Sequence, residues 1–154
     1  MAPRIEIVAV GSLHRDLAPA AGHYLTMLRS RLDLAVREVK EVPLRARSDA
    51  EVLREEGRRL LATWPSVPVV AALAVDGRAY GTADFARWLR GGIERGGVGF
   101  VIGGSLGLAP EVSARASECL SLSAFTLPHQ LARVVLLEQL FRASKILHNE
   151  PYHH

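Results

Sequence analysis

The hydrophobic positions of this chain switch between two periods from one end to the other. Ile5 to Val10 is an apolar, β-branched run stopped by Gly11, which predicts a strand. From Asp16 to Leu32 the residues Leu17, Ala20, Ala21, Tyr24, Leu25 and Leu28 recur at helical spacing. Leu34 to Val42 alternates apolar with charged residues, the pattern of a half-exposed edge strand. A basic loop follows over 43–48, and Asp49 is expected to cap a charged helix running to about Trp64. Val67 to Val75 is almost wholly apolar, as in a strand covered on both faces. Asp76-Gly77 reads as a turn. Thr82 reads as the N-cap of a helix to about Leu89, closed by the glycines at 91, 92, 96 and 97.

The last third continues the alternation. Val98 to Ile102 predicts a fourth strand, followed by the loop Gly103-Gly104-Ser105-Leu106-Gly107. Pro110 opens a short helix to about Cys119, and Leu120 to Phe125 reads as a short fifth strand. Pro128 opens a final helix to about His148. Its apolar residues, among them Leu131, Val134, Leu137, Leu140, Phe141 and Leu147, wrap most of the circumference, which predicts burial on nearly all sides. In a chain of 154 residues that burial is expected from a partner subunit, so a homodimer is expected. The whole pattern predicts one α/β domain over 1–154, with a mostly parallel sheet and helices on both faces. Ligands bind such sheets beyond the carboxyl ends of the strands. Three loops qualify: Leu73 to Gly77, Gly103 to Gly107, and Phe125 to His129.

Composition narrows the class. Hydrophobic residues make up 49% and charged residues 23%, as in ordinary soluble domains. No stretch approaches the roughly 20 apolar residues of a membrane span. A charged N-terminus, where a signal peptide would be apolar, predicts a cytoplasmic protein. The single cysteine, Cys119, excludes an internal disulfide and a cysteine-based zinc site, and it reads as a small buried filler. Adjacent histidines such as His153 and His154 point apart in an extended tail, so no metal is expected. Net charge is +3, yet of the 19 basic residues only Lys40 and Lys145 are not arginine. The planar guanidinium suits phosphate recognition, and a codon bias toward arginine explains the count equally well.

The glycine loop matches neither a Walker A motif nor the dinucleotide fingerprint. It carries no acid, lysine or histidine, so a ligand there would be held by backbone and shape. That fits an adenosine-like molecule better than a triphosphate. Gly104-Ser105-Leu106-Gly107 lacks the spacing of a hydrolase nucleophile elbow. Gly11-Ser12-Leu13-His14-Arg15 lacks the Ser/Thr-rich phosphate loop of a flavin protein. Glu138 and Arg142 read as an i, i+4 surface pair, and Arg133 as a phosphate contact or a helix-rim residue.

Several runs together carry a family resemblance: Phe100-Val101-Ile102-Gly103-Gly104-Ser105-x-Gly107-Leu108, Ser121-Leu122-Ser123, and Thr126-Leu127-Pro128-His129-Gln130-Leu131-x-Arg133-Val134. Glu138-Gln139-Leu140-x-Arg142-Ala143, Pro151-Tyr152-His153, the opening Ile7 to Gly11 and Glu56-Gly57 add to it. Over its whole length the chain resembles the SPOUT-class pseudouridine N3-methyltransferases of the large ribosomal subunit. The resemblance implies a C-terminal trefoil knot and S-adenosylmethionine as methyl donor. It implies cofactor contacts at Leu73, Gly103, Gly104, Leu122, Ser123, Ala124, Phe125, Thr126 and Leu127. It also implies a homodimer in which one subunit's tail completes the other's site, acting on a pseudouridine of 23S rRNA in the assembled ribosome. The polar candidates for catalysis are His129, Arg142, Tyr152 and His153: the tail residues to position a base, Arg142 to hold a phosphate or the developing anion. Leu106 and the terminal His154 depart from the family pattern. The alternative reading is a non-catalytic ribosome-binding α/β module.

Overall fold

In a computed structural model of the chain, the structure describes residues 1–45 and 47–152. Strands β1 (Arg4–Val10), β2 (Asp33–Val39), β3 (Val69–Ala79), β4 (Val98–Ile102) and β5 (Glu118–Ser121) form one sheet of order β2-β1-β4-β3-β5. All its pairings are parallel. Helices α1 (Ala18–Leu28), α3 (Thr82–Glu94) and α5 (His129–Leu147) cover one face, and α2 (Asp49–Ala62) and α4 (Pro110–Arg115) cover the other. The two-residue period of a strand sorts the core. Ile5, Ile7 and Ala9 of β1 enter the first layer, while Val8 and Val10 enter the second. The parallel α/β architecture with helices on both faces is borne out, and β2 is an edge strand as its alternation predicts.

Four local expectations change. Asp76-Gly77 is not a turn: β3 runs through it to Ala79, and its pairing with β5 slips between Leu73 and Arg78. Gly77 is needed there because a Cβ would stand 2.7 Å from the Cys119 carbonyl. The helix caps lie one residue earlier than predicted, at Ser48 and Gly81. Ser48 accepts from the Glu51 amide at 3.2 Å, while the glycine cap leaves Thr82 inside α3. Strand β5 begins earlier than expected, so Cys119 lies half-buried in a strand rather than buried in a helix. The segment 122–127 is a loop.

Glycines 91 and 92 do not end α3, which continues to Glu94. They do different things. A Cβ on Gly91 meets nothing within 4 Å, whereas one on Gly92 would lie 2.3 Å from Val98 Cγ2. Gly91→Ala is therefore expected to stabilise the fold by about 0.5–1 kcal/mol, from helix propensity alone. Gly92→Ala is expected to destabilise it by about 1–3 kcal/mol, by overpacking α3 against β4. Chemical denaturation of both variants checks the opposite signs.

Helix α5 packs against α1 and α3, and every position from Leu131 to Leu147 is buried or half-buried. It ends in a Schellman motif with Asn149 in the left-handed region (φ 56°). The Glu150 amide donates to Lys145 O at 2.8 Å and the Asn149 amide to Ile146 O at 3.0 Å. That reversal turns the tail back onto the protein. Arg31 grips Glu150 through two hydrogen bonds of 2.5 and 3.0 Å. Arg142 Nη1 donates to Tyr152 O at 2.6 Å.

Candidate active site

The slipped middle of β3, the carboxyl end of β4 and the loop after β5 enclose a cleft of about 650 Å³. Gly103, Gly104, Ser105 and Gly107 form one wall. The loop is tight: Gly107 adopts φ 83° and its amide donates to Gly104 O at 3.0 Å. Gly103 allows the chain to fold over itself, since a Cβ there would stand 2.3 Å from Gly107 O. The opposite wall is the 122–127 loop, held by two short links. Ser121 Oγ donates to Ser123 O at 3.0 Å, and Ser123 Oγ accepts from the Phe125 amide at 2.9 Å. The slip in β3 supplies a third side, because it turns Ala74 and Val75 out of the ladder and into the cleft. His129, in the first turn of α5, closes the floor.

Of the residues expected to touch a cofactor, Leu73, Gly103, Gly104, Leu122, Ser123, Phe125, Thr126 and Leu127 all line this cleft. Ala124 is exposed and does not. Of the candidates for catalysis only His129 is there. Arg142 is thirteen positions further along α5, about 20 Å at the helical rise. It is engaged with Glu138 and with the tail carbonyl of Tyr152, so within one chain neither Arg142 nor Tyr152 reaches the cleft. His153 lies outside the described residues. Arg133 is neither a phosphate contact nor a rim residue. It is buried, ion-paired with Glu38, and donates to Gly11 O at 2.7 Å, tying α5 to the ends of β1 and β2.

The cleft has no Asp, Glu, Lys or Arg among its lining residues. Its walls are apolar side chains and backbone, which suits a largely neutral, adenosine-like ligand and leaves a triphosphate without counter-charge. Much of the arginine surplus is spent elsewhere. Arg4, Arg31, Arg37, Arg58, Arg59, Arg87, Arg133 and Arg142 are all held in ion pairs with carboxylates of the same chain. Among the described residues no group of three His, Cys, Asp or Glu side chains could hold a metal, and no helix is long and apolar enough to cross a membrane.

One buried carboxylate close to the cleft wall is not marked as such by the sequence. Glu56, on α2, is 3% exposed and lies behind the glycine loop. Its Oε2 accepts from the Val42 amide at 3.0 Å, while its Oε1 has no partner. The neighbouring Gly57 lets α2 close on α4, since a Cβ there would be 2.9 Å from Ala109 Cβ. Burial pushes the Glu56 carboxyl above its ordinary range, against the Val42 amide and His129, which pull it down. A raised carboxyl pKa opposes folding as pH rises through it, and the penalty is absent below the ordinary carboxylate range. Glu56→Gln is therefore expected to melt at the same or a higher temperature than the parent near neutrality. That difference should close as the pH falls below the ordinary carboxylate range, where the parent carboxyl is protonated in both states.

A parallel α/β sheet with a glycine-walled, charge-free cleft at its carboxyl edge defines a small-ligand-binding protein of the doubly covered class. The comparisons with known proteins agree and sharpen the class. A family model described as "Predicted SPOUT methyltransferase" matches residues 3–153. A protein of Rubrobacter xylanophilus named ribosomal RNA large subunit methyltransferase H is 48% identical, covering 99% of this chain and 99% of that protein. One of the same name from Gemmatimonas aurantiaca is 44% identical over 97% of this chain and 99% of its own. Among solved structures, a probable methyltransferase from Bordetella pertussis Tohama I shares the fold, with a TM-score of 0.60 at 17% identity, covering 92% of this chain and 94% of that one. The chain belongs to the SPOUT methyltransferase family.

Proposed function

We propose that this methyltransferase moves a methyl group from S-adenosylmethionine to N3 of a pseudouridine in 23S rRNA, acting in the cytoplasm on the assembled ribosome. The observation that carries the reading is the cleft itself. Two loops and the slipped stretch of β3 meet around a space without Asp, Glu, Lys or Arg, and eight of the nine expected cofactor contacts line it. S-adenosylmethionine supplies an electrophilic methyl group there. Gly103, Gly104 and the 122–127 loop hold it through backbone and shape, and His129 stands on the floor. The rRNA reading rests on the relatives named above, which match this chain end to end.

The site is completed by a second copy of the chain. Val75 and Phe125 are exposed beside the cleft, at 54% and 82%, and offer an apolar rim for a partner to cover. The tail of the partner would bring Tyr152 and His153 to position the nucleobase, with Arg142 taking a phosphate or the developing anion. The C-terminal part is proposed to thread as a trefoil knot. Supporting this, the chain crosses from α4 on one face of the sheet, through β5 and the 122–127 loop, to α5 on the other. The modest charge of +3 agrees with docking by shape rather than by a broad basic patch. Calorimetric titration with S-adenosylmethionine tests the first step. Saturable binding of one molecule per cleft is expected, and no binding would overturn the reading.

A further inference from the structure

The end of the described chain is held by a residue far from it in sequence. Arg31 lies in the turn between α1 and β2, and it grips Glu150 across 119 positions with both arms of its fork. Nη1 donates to Oε2 at 2.5 Å and Nη2 to Oε1 at 3.0 Å. The Asn149 reversal brings Glu150 into reach and is the last backbone device of α5, since the Glu150 amide closes it on Lys145 O.

Most ion pairs between surface side chains hold little in place, but a two-bond pair on an anchored arginine does. Arg31 is anchored. Its side chain is 21% exposed against 40% for Glu150, and its guanidinium lies over the Phe141 ring of α5, 5.4 Å from the centre. The bond from Arg31 is the main cause that holds the Glu150 carboxyl below its ordinary range. The next residue, Pro151, has a fixed φ and keeps Glu150 out of the helical region. Fixing the Glu150 side chain therefore fixes the direction in which the chain runs on to Tyr152. None of residues 148–152 lines the chain's own cleft. Ordering them costs conformational entropy with no return at that cleft, so the order serves a site elsewhere.

We propose that Arg31 is a positioning residue for the methyl-transfer site of the second subunit: its fork on Glu150 sets the direction in which Tyr152, and with it His153, leaves α5 to enter that cleft. The inference rests on the reading given above, in which the tail of one subunit completes the site of the other. Arg31 touches neither cofactor nor nucleobase. It orders the tail in advance, so that the transition state does not bear that cost. Lysine at this position would keep the charge but not the fork, and so would replace Arg31 only in part.

The test is methyl transfer to ribosomes by mixed dimers. In a dimer of one Gly103→Val and one Tyr152→Ala subunit, the complete site takes its cleft from the Tyr152→Ala subunit and its tail from the Gly103→Val subunit. Arg31→Ala added to the Gly103→Val subunit should lower the activity of the mixture about 10-fold, and added to the Tyr152→Ala subunit should leave it within about 2-fold. A role in general folding would not distinguish the two placements. In the unmixed enzyme, Arg31→Ala and Glu150→Ala should each lower kcat about 10-fold with cofactor affinity kept within about 3-fold, and the double variant should fall no further, because both break one link. Arg31→Ala acting equally in both placements or in neither, or losses that multiply in the double variant, would overturn the proposal. A mixture of Gly103→Val and Tyr152→Ala that regains no activity would instead overturn the shared site itself, and leave Arg31 no second site to serve.

Discussion

Gly103→Val is expected to abolish binding of S-adenosylmethionine. The reason is local and severe. A Cβ at this position would lie 2.3 Å from Gly107 O and 2.6 Å from Gly107 C, and both are backbone atoms of the loop that walls the cleft. No rotamer relieves contact made by Cβ itself, so the loop must open, and the branched methyls would then project into the space left. Affinity should fall at least about 100-fold, since a site that binds by shape loses its wall. The sheet beneath should survive, because β4 ends at Ile102. Calorimetry for binding and far-ultraviolet circular dichroism for the fold separate the two effects. Cofactor affinity within a few-fold of the parent in a folded variant would mean that the glycine loop is not the cradle.

Tyr152→Ala is expected to do the reverse: methyl transfer lost by about 100-fold or more, with cofactor affinity nearly unchanged. Arg142 holds the tail through the Tyr152 carbonyl, at the end of α5 remote from the chain's own cleft. A tail placed there can serve a site only in a second copy. The arrangement makes a sharper prediction about mixtures. When Gly103→Val and Tyr152→Ala subunits are combined, half of the dimers are mixed, and each mixed dimer has one site with both an intact loop and an intact tail. Activity should return to about a quarter of the parent value. No recovery above the two parents would exclude a shared site.

The sequence was most legible where one physical signal dominated. The β-branched run of β1, the alternation of β2 and the apolar run of β4 each had one structural reading, and the parallel sheet followed from them. The cleft was legible because glycines mark close backbone approach and parallel topology points to the strand ends, although the segment Leu73 to Gly77 belongs to β3 and is not a loop. Less legible was everything that depends on a distant partner. Asp76-Gly77 has the composition of a turn, yet packing of Gly77 against the β5 backbone keeps it in β3. Arg133 follows the Leu-Pro-His-Gln segment like a site residue. Only the fold reveals Glu38 waiting ninety-five positions away. Glu56 sits among the charges of α2 with nothing local to distinguish it from the half-buried Glu55, whose carboxyl is held down to about 2 by Arg58. Burial behind Gly104 makes the difference, and burial of one charge in a charged helix leaves no period to read.

The central claim is a reaction on one base of the large ribosomal RNA. Purified ribosomes, free 23S rRNA and labelled S-adenosylmethionine test it together, with the modified nucleotide mapped by mass spectrometry. Close to one methyl group per ribosome is expected, on N3 of a single pseudouridine, with free rRNA a much poorer acceptor. Methyl transfer to another base, or none to ribosomal RNA from a protein that binds the cofactor, would contradict it.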